Sequence, residues 1–370
     1  MARLNIKIIG AIILLLIIIA GLSVLNIKHA GESIKIGVLT PLSGDAAVYG
    51  EAAKNGIDLA VQKVNDNGGV LGNKIELIYE DAHLDSKTAV SAINKLANID
   101  KVSFVIVAEG SGATLAVTPF ADKNKLVMVV PMASAASIKD AGDFVFRIIP
   151  SDGYRGIEMA RLAIERNYKK IAILYVNDPY GVGIKDSLKK NFVGEGTEIT
   201  NEESFESGAT DFRTQLTKIK ASKPDAIMVE ARTEFLTILK ESKELDITAQ
   251  IVASEMLDKS ILGQSGKNAE GLLAIDFAPN VEHVNFRNDY KDKYGTEMAL
   301  YSDYSFDSLM VLVNAIKSAD SVNSTKVKDA MYDLLYSGAT GIIKFDSSGD
   351  VDGKDFVVSE VKNGEFVEVK

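Results

Sequence analysis

Gly110-Ser111-Gly112-Ala113-Thr114 is the stretch whose residue types and spacing point most directly to chemistry. It follows an apolar run that reads as a strand and opens a run that reads as a helix. Backbone N–H groups at a helix start, the positive end of the helix dipole and a nearby hydroxyl together suit a carboxylate. The Gly-Lys pair of a phosphate loop is missing, and Ser111 as a plain helix cap accounts for the same residues. Gly68-Gly69-Val70-Leu71-Gly72 has the reverse context, after a helix and before a strand, so it is a turn and not a dinucleotide fingerprint. Asp346 to Gly353 has the look of a calcium loop. An EF-hand needs Gly at its sixth position and Glu at its twelfth, where this chain has Val351 and Val357. Hairpin turn chemistry explains it better. Catalysis finds little support: there is no cysteine, the three histidines His29, His83 and His283 are scattered, and no Gly-x-Ser-x-Gly elbow occurs. The residues read as those of a binding protein without cofactor or metal.

The elements that must position such a site alternate along the chain. Ile34 to Leu39, Ile75 to Tyr79, Phe104 to Val107 and Leu126 to Val130 are short β-rich apolar runs, as in strands covered on both faces. Between them Ala53, Ile57, Ala60, Val61 and Val64 trace one helix face, and Ala89, Ile93, Leu96 and Ala97 another. The pattern restarts with strands at Ile171 to Tyr175, Ile199 to Phe205, Ala226 to Val229, Gln250 to Ala253 and Leu272 to Phe277. Helical segments near Gly153 to Arg166, Gly181 to Lys190, Asp211 to Lys220 and Thr233 to Leu245 separate them. The fold class is therefore α/β, with two doubly wound lobes on parallel sheets and a cleft between them. Alternation through Ile342 to Phe345 and Phe356 to Val361 predicts hairpin strands that return to the second lobe.

The first 33 residues stand apart. Ile8 to Leu25 carries no charge, and about 18 such residues is the lower end of what spans a bilayer. Arg3 and Lys7 precede it, which favours the amino end inside and the bulk of the chain exported. A cut after Ala30 would put Lys28 where a small residue is wanted, so an uncleaved anchor is expected, with a cleaved signal segment as the alternative. Beyond Ser33 the chain has 38 basic and 50 acidic side chains, a net charge of -12. That argues against a nucleic-acid footprint.

Several landmarks recur in order at characteristic spacing. They are Pro41-Leu42-Ser43-Gly44, Tyr49-Gly50, the helix with Leu59-Ala60-Val61, the Asn65 to Gly72 turn, and Asp81 with Asp85. RIIPSDGYRG (147–156), NDPYGVG (177–183), SGATDFRTQLTKIKASKPDAIMV (207–229) and AEGLL (269–273) follow. In these the chain resembles the branched-chain (Leu/Ile/Val) amino acid binding proteins that feed ABC importers, over nearly everything after Ser33. The resemblance implies the type I periplasmic-binding fold, whose chain crosses between lobes three times. It places 34–152 plus 279–338 in the first lobe and 153–278 plus 339–370 in the second, after the 1–33 anchor or signal segment.

It also implies a site. Hydroxyls at Ser111 and Ser134 hold an amino acid's carboxylate, Glu255 faces its ammonium, and Tyr49 and Tyr180 line the pocket. Met132 stands where the family has Ala, and either crowds the site or contributes only its backbone N–H. Glu230 and Arg232 follow a strand where the family often has Gly and an aromatic residue. They either pair with each other or recognise a polar ligand side chain. The implied function is an extracytoplasmic receptor at the cell surface or in the periplasm, with a small amino acid as ligand and ABC permease subunits as partners. The alternatives are a receptor for an amide, urea or aromatic acid, or a ligand-sensing ectodomain.

Overall fold

Buried four-residue runs such as Phe104–Val107 and Val127–Val130 leave no polar face for water, so each must be a strand with helices on both sides. The computed structural model describes residues 32–44, 46–192, 196–253, 259–277, 283–351 and 356–369. Ile8 to Leu25, expected to anchor the chain, and Glu255 lie outside the described residues. Among the described residues no helix is long and apolar enough to cross a membrane.

The first sheet contains β1 (Ile34–Thr40), β2 (Ile75–Asp81), β3 (Phe104–Val107), β4 (Val127–Val130) and β5 (Val145–Arg147), all parallel in the order β2-β1-β3-β4-β5. Helices α1 (Ala47–Asp66), α2 (Ser86–Asn98) and α3 (Ser111–Asn124) connect its strands. After β5 the chain crosses to α4 (Asp152–Glu165) and builds a second unit. Here β6 (Lys170–Val176), α5 (Pro179–Asn191), β7 (Glu198–Phe205), α6 (Arg213–Ser222), β8 (Ala226–Glu230), α7 (Phe235–Glu244), β9 (Gln250–Ala253), α8 (Lys259–Ser265) and β10 (Leu273–Phe277) alternate.

A second crossing leads to α9 (His283–Tyr294), α10 (Ser302–Ala319) and α11 (Ser324–Tyr332). The last two return to the first core through residues such as Leu309, Leu312, Val327 and Met331. The hairpin β11 (Leu335–Gly338) and β12 (Gly341–Lys344) follows, then β13 (Phe356–Lys362) and β14 (Glu365–Glu368). The second sheet has the order β14-β13-β10-β9-β8-β6-β7, parallel except for its two last-formed strands.

The tail differs in part from the sequence expectation. Phe356 to Val361 does join the second sheet, antiparallel to β10. Ile342 to Phe345 does not. Its β12 pairs with β11 in a two-stranded ribbon, and Ala339, Ile343, Phe345 and Val351 enter the first core. Alternation identifies a half-buried strand, but it carries no information about which lobe supplies the cover.

Each parallel sheet has a switch point, where successive connections run to opposite sides and leave a crevice at the carboxyl ends of the strands. In the first sheet it lies between β1 and β3, and in the second between β6 and β8. The two crevices face each other across the cleft.

Candidate functional site

Both switch points deliver their residues to one place. Tyr49, Gly110, Ser111, Met132 and Ser134 of the first lobe line a narrow cleft together with Tyr180 and Arg232 of the second. Leu84 and Tyr301 complete the lining, and the free volume is about 30 Å³. That is roughly one water's share of the liquid. A second concavity, at the amino-terminal edge of the second sheet near Tyr168 and Asp225, receives residues from one lobe alone.

The two tyrosines are set by the same local device. Tyr49 and Tyr180 sit in the first turns of α1 and α5, each followed by glycine. A Cβ on Gly50 would lie 1.8 Å from the Pro41 carbonyl oxygen, and one on Gly181 would lie 2.2 Å from that of Val176. Only glycine lets each helix start press against the preceding backbone, which brings its tyrosine to the cleft edge. Asp178 caps α5 by accepting the Gly181 N–H at 3.0 Å.

Ser111 is the first residue of α3 and is buried. Its Oγ accepts the Ala135 N–H at 3.2 Å, which ties the helix start to the turn carrying Ser134. A hydroxyl that accepts one bond still has its own O–H to donate. Met132 and Ser134 follow β4 and are also buried. The sheet therefore places two hydroxyls and the amino-terminal end of a 14-residue helix around one spot. This arrangement is suited to an anion.

Across the cleft, the Arg232 guanidinium carbon lies 4.5 Å from the Tyr180 ring centroid, and Nη2 is 2.8 Å from Asp178 Oδ2. The loop bearing Arg232 is held by Glu234, which accepts the Arg232 N–H at 3.1 Å and the Gly208 N–H at 2.8 Å. Glu230, the other charged candidate, is fully buried at the end of β8 beside Tyr175 of β6 and is not part of the lining. The structure thus brings Tyr49, Ser111, Met132, Ser134, Tyr180 and Arg232 together, while Glu230 lies beneath the surface.

Leu84 and Tyr301 carried no sequence signal. Their backbones are left-handed, with φ of 57° and 69°, and His83 beside Leu84 has φ 54°. Such values are strained for bulky residues and persist only where the surroundings fix them. Two carboxylates fix the first turn: Asp81 accepts the His83 N–H at 3.2 Å, and Glu109 accepts the Leu84 N–H at 3.0 Å. Tyr301 packs edge-to-face on Tyr49, with centroids 5.8 Å apart. Glu109 is fully buried directly before Gly110, and its Oε1 has no hydrogen-bond partner among the described residues. Burial pushes its carboxyl up to about 8; the Leu84 N–H opposes this and the Asp81 charge adds to it.

A pair of doubly wound lobes whose switch points converge on one narrow cleft defines a two-lobed solute-binding protein. The chain belongs to the periplasmic binding protein family, whose model matches residues 33–365. It is 28% identical over 339 residues to the leucine-, isoleucine-, valine-, threonine- and alanine-binding protein of Pseudomonas aeruginosa, covering 90% of each chain. A leucine-binding protein from Thermotoga maritima has a similar structure, with TM-score 0.84, 29% identity and coverage of 91% of this chain and 98% of that one. So does the branched-chain amino acid transporter substrate-binding protein of Streptococcus pneumoniae, solved with isoleucine, with TM-score 0.82, 28% identity and coverage of 91% and 100%. A benzoate-bound solute-binding protein from R. palustris, at 21% identity and TM-score 0.83 over 91% of this chain and 95% of its own, shares the fold.

Proposed function

We propose that the protein is the extracytoplasmic receptor of an ABC importer, closing over a small neutral or branched-chain L-amino acid and presenting it to the permease subunits without catalysis. One observation carries this reading. The start of α3, with Ser111 and Ser134, forms an anion seat on the first lobe, and an aromatic wall of Tyr49, Tyr180 and Tyr301 spans both lobes. The carboxylate sits at the seat, and the side chain packs on the tyrosines and Met132. Glu255 is assigned to the ammonium, because β9 ends at Ala253 on the carboxyl edge of the second sheet that faces the cleft. The amino acids bound by the relatives from Pseudomonas aeruginosa, Thermotoga maritima and Streptococcus pneumoniae point the same way. Arg232 and Glu230 are assigned to specificity, Arg232 from the lining and Glu230 from below it.

A second reading, an aromatic acid, is favoured by the three tyrosines and the arginine, which would stack on and pair with a ring and a carboxylate as readily. Thermal melts against amino acids, amides, urea and aromatic acids separate the two. A ligand that binds only the folded state at a hundredfold excess over Kd stabilises it by about 2.7 kcal/mol. A shift with a neutral L-amino acid supports the first reading, and a shift confined to aromatic acids supports the second. The uncharged segment Ile8 to Leu25 is assigned to anchoring the receptor. The full chain should then stay with membranes through a high-salt wash, because apolar burial is not screened. Release of a soluble form beginning near Gly31 would replace the anchor with a cleaved signal.

A further inference from the structure

Arg147 ends β5 at the edge of the first sheet, and it is 1% exposed, among the largest fully buried side chains described. A buried guanidinium is costly unless all of its geometry is used. Here Nε and Nη2 donate to the two oxygens of Asp350 at 2.9 and 2.5 Å, a bidentate fork. Nη1 donates to the backbone oxygens of Ser134 and Ala135 at 2.8 and 2.6 Å. The Ala135 N–H reaches Ser111 Oγ, and the Ser134 oxygen also accepts the N–H of Asp152, the first residue after the first crossing. The Arg147 backbone pairs as well: its N–H donates to the Gly349 oxygen, and its oxygen accepts the Val351 N–H. The 346–351 turn is further closed by Asp346, which accepts the N–H groups of Ser348 and Asp350. One side chain therefore links three things: the turn behind the anion seat, the end of the first crossing, and the last described residues before the third.

We propose that Arg147, held by Asp350, is a positioning residue for ligand binding. It fixes the Ser134–Ala135 backbone, and through it Ser111, so that the seat for the ligand's carboxylate is part of the interlobe hinge. The inference rests on the carboxylate seat proposed above. Arg147 touches no ligand in this scheme and acts only through the turn. Lysine does not replace it, because an ammonium cannot bind both oxygens of a carboxylate in a fixed plane while reaching two carbonyls. Asp350→Asn keeps the size of the partner but removes its charge and one acceptor, which loosens the guanidinium without emptying the site.

The test uses the full chain with L-leucine and L-leucinamide as probes, since the two differ only in the carboxylate. Calorimetry on wild type, Asp350→Asn and Arg147→Lys should find affinity for leucine at least tenfold weaker in both variants. Affinity for leucinamide should be nearly unchanged, so that the acid-to-amide preference collapses. An equal loss for both probes, or a lowered melt with the preference intact, reduces Arg147 to a structural ion pair and overturns the proposal. Should a variant fail to fold, hydrogen exchange on the ligand-free wild type decides it. The amides of Ala135 and Asp152 should exchange as slowly as those of β4, and exchange at open-loop rates refutes a preformed seat. If wild type binds aromatic acids but no amino acid, the amino acid reading falls alone, and benzoate against benzamide replaces the probe pair. If wild type prefers the amide or shows no acid preference, the seat and this proposal fall together.

Discussion

Glu109 is the residue at which the chemistry of the site meets the stability of the fold. Its carboxyl titrates at about 8 in the native protein, against an ordinary value of 4.5, because burial disfavours the charged form. Between those values the native state holds a proton that the unfolded state has lost, so stability declines as pH rises through that window. Asp81, the neighbouring charge, adds to the shift, while the Leu84 N–H works against it. Glu109→Gln removes the titration. Chemical denaturation at several pH values should show a flatter profile for the variant between pH 5 and 8, and greater stability than wild type at pH 8; parallel profiles would mean the carboxyl is solvated. The same scale holds the test of Glu255 as the proposed ammonium partner. Breaking a buried pair by removing one member costs roughly 3–5 kcal/mol. At about 1.4 kcal/mol per tenfold, Glu255→Ala should weaken amino acid binding at least a hundredfold with the melt intact. Ser111→Ala should cost less, since the backbone donors of the helix start remain. Calorimetry with near-wild-type affinity in Glu255→Ala would take that residue out of the site.

At the scale of elements, strand and helix positions were legible because short apolar runs and 3.6-residue stripes are local consequences of burial on a parallel sheet. The runs at Phe104 to Val107 and Gln250 to Ala253 coincide with β3 and β9. The position of Ser111 was legible in a similar way, as a hydroxyl that opens a helix after a strand, whereas Tyr180 was reached only through the family resemblance. Leu84 and Tyr301 were not, since they reach the cleft through left-handed backbone, held at Leu84 by the sequence-distant Glu109 carboxylate and accompanied at Tyr301 by packing on Tyr49. The lobe on which the β11–β12 ribbon packs was equally hidden, being a tertiary choice. Glycine after each cleft tyrosine was visible in the sequence, but its reason is a contact distance. Gly181→Ala would drive a methyl group into the Val176 carbonyl, where the backbone must shift. Overpacking of this kind costs about 1–3 kcal/mol. The variant should melt lower and bind more weakly, because the shift displaces Tyr180; unchanged affinity would separate the glycine from the site.

At the scale of the whole molecule, the distribution of contacts between lobes decides whether binding also closes the protein. Ser111, Ser134, Tyr49 and Met132 belong to the first lobe, whereas Tyr180 and Arg232 belong to the second. The lining leaves about 30 Å³ in this arrangement, so an amino acid enters only if the lobes part or side chains turn. A ligand shifts the open–closed balance only by its differential affinity for the two states. Moving a population from 1:99 to 99:1 takes a preference of about 10⁴-fold, roughly 5.5 kcal/mol. In the proposed binding mode, first-lobe contacts exist in both states and contribute nothing to that difference. Second-lobe contacts would form on closure and supply it. Tyr180→Ala should therefore leave measurable binding at the first-lobe seat while weakening the drive to close. Small-angle scattering at saturating ligand should show compaction in wild type and a reduced change in the variant. Full compaction in Tyr180→Ala at saturation would place the closing force elsewhere, in Arg232 or in residues beyond β9.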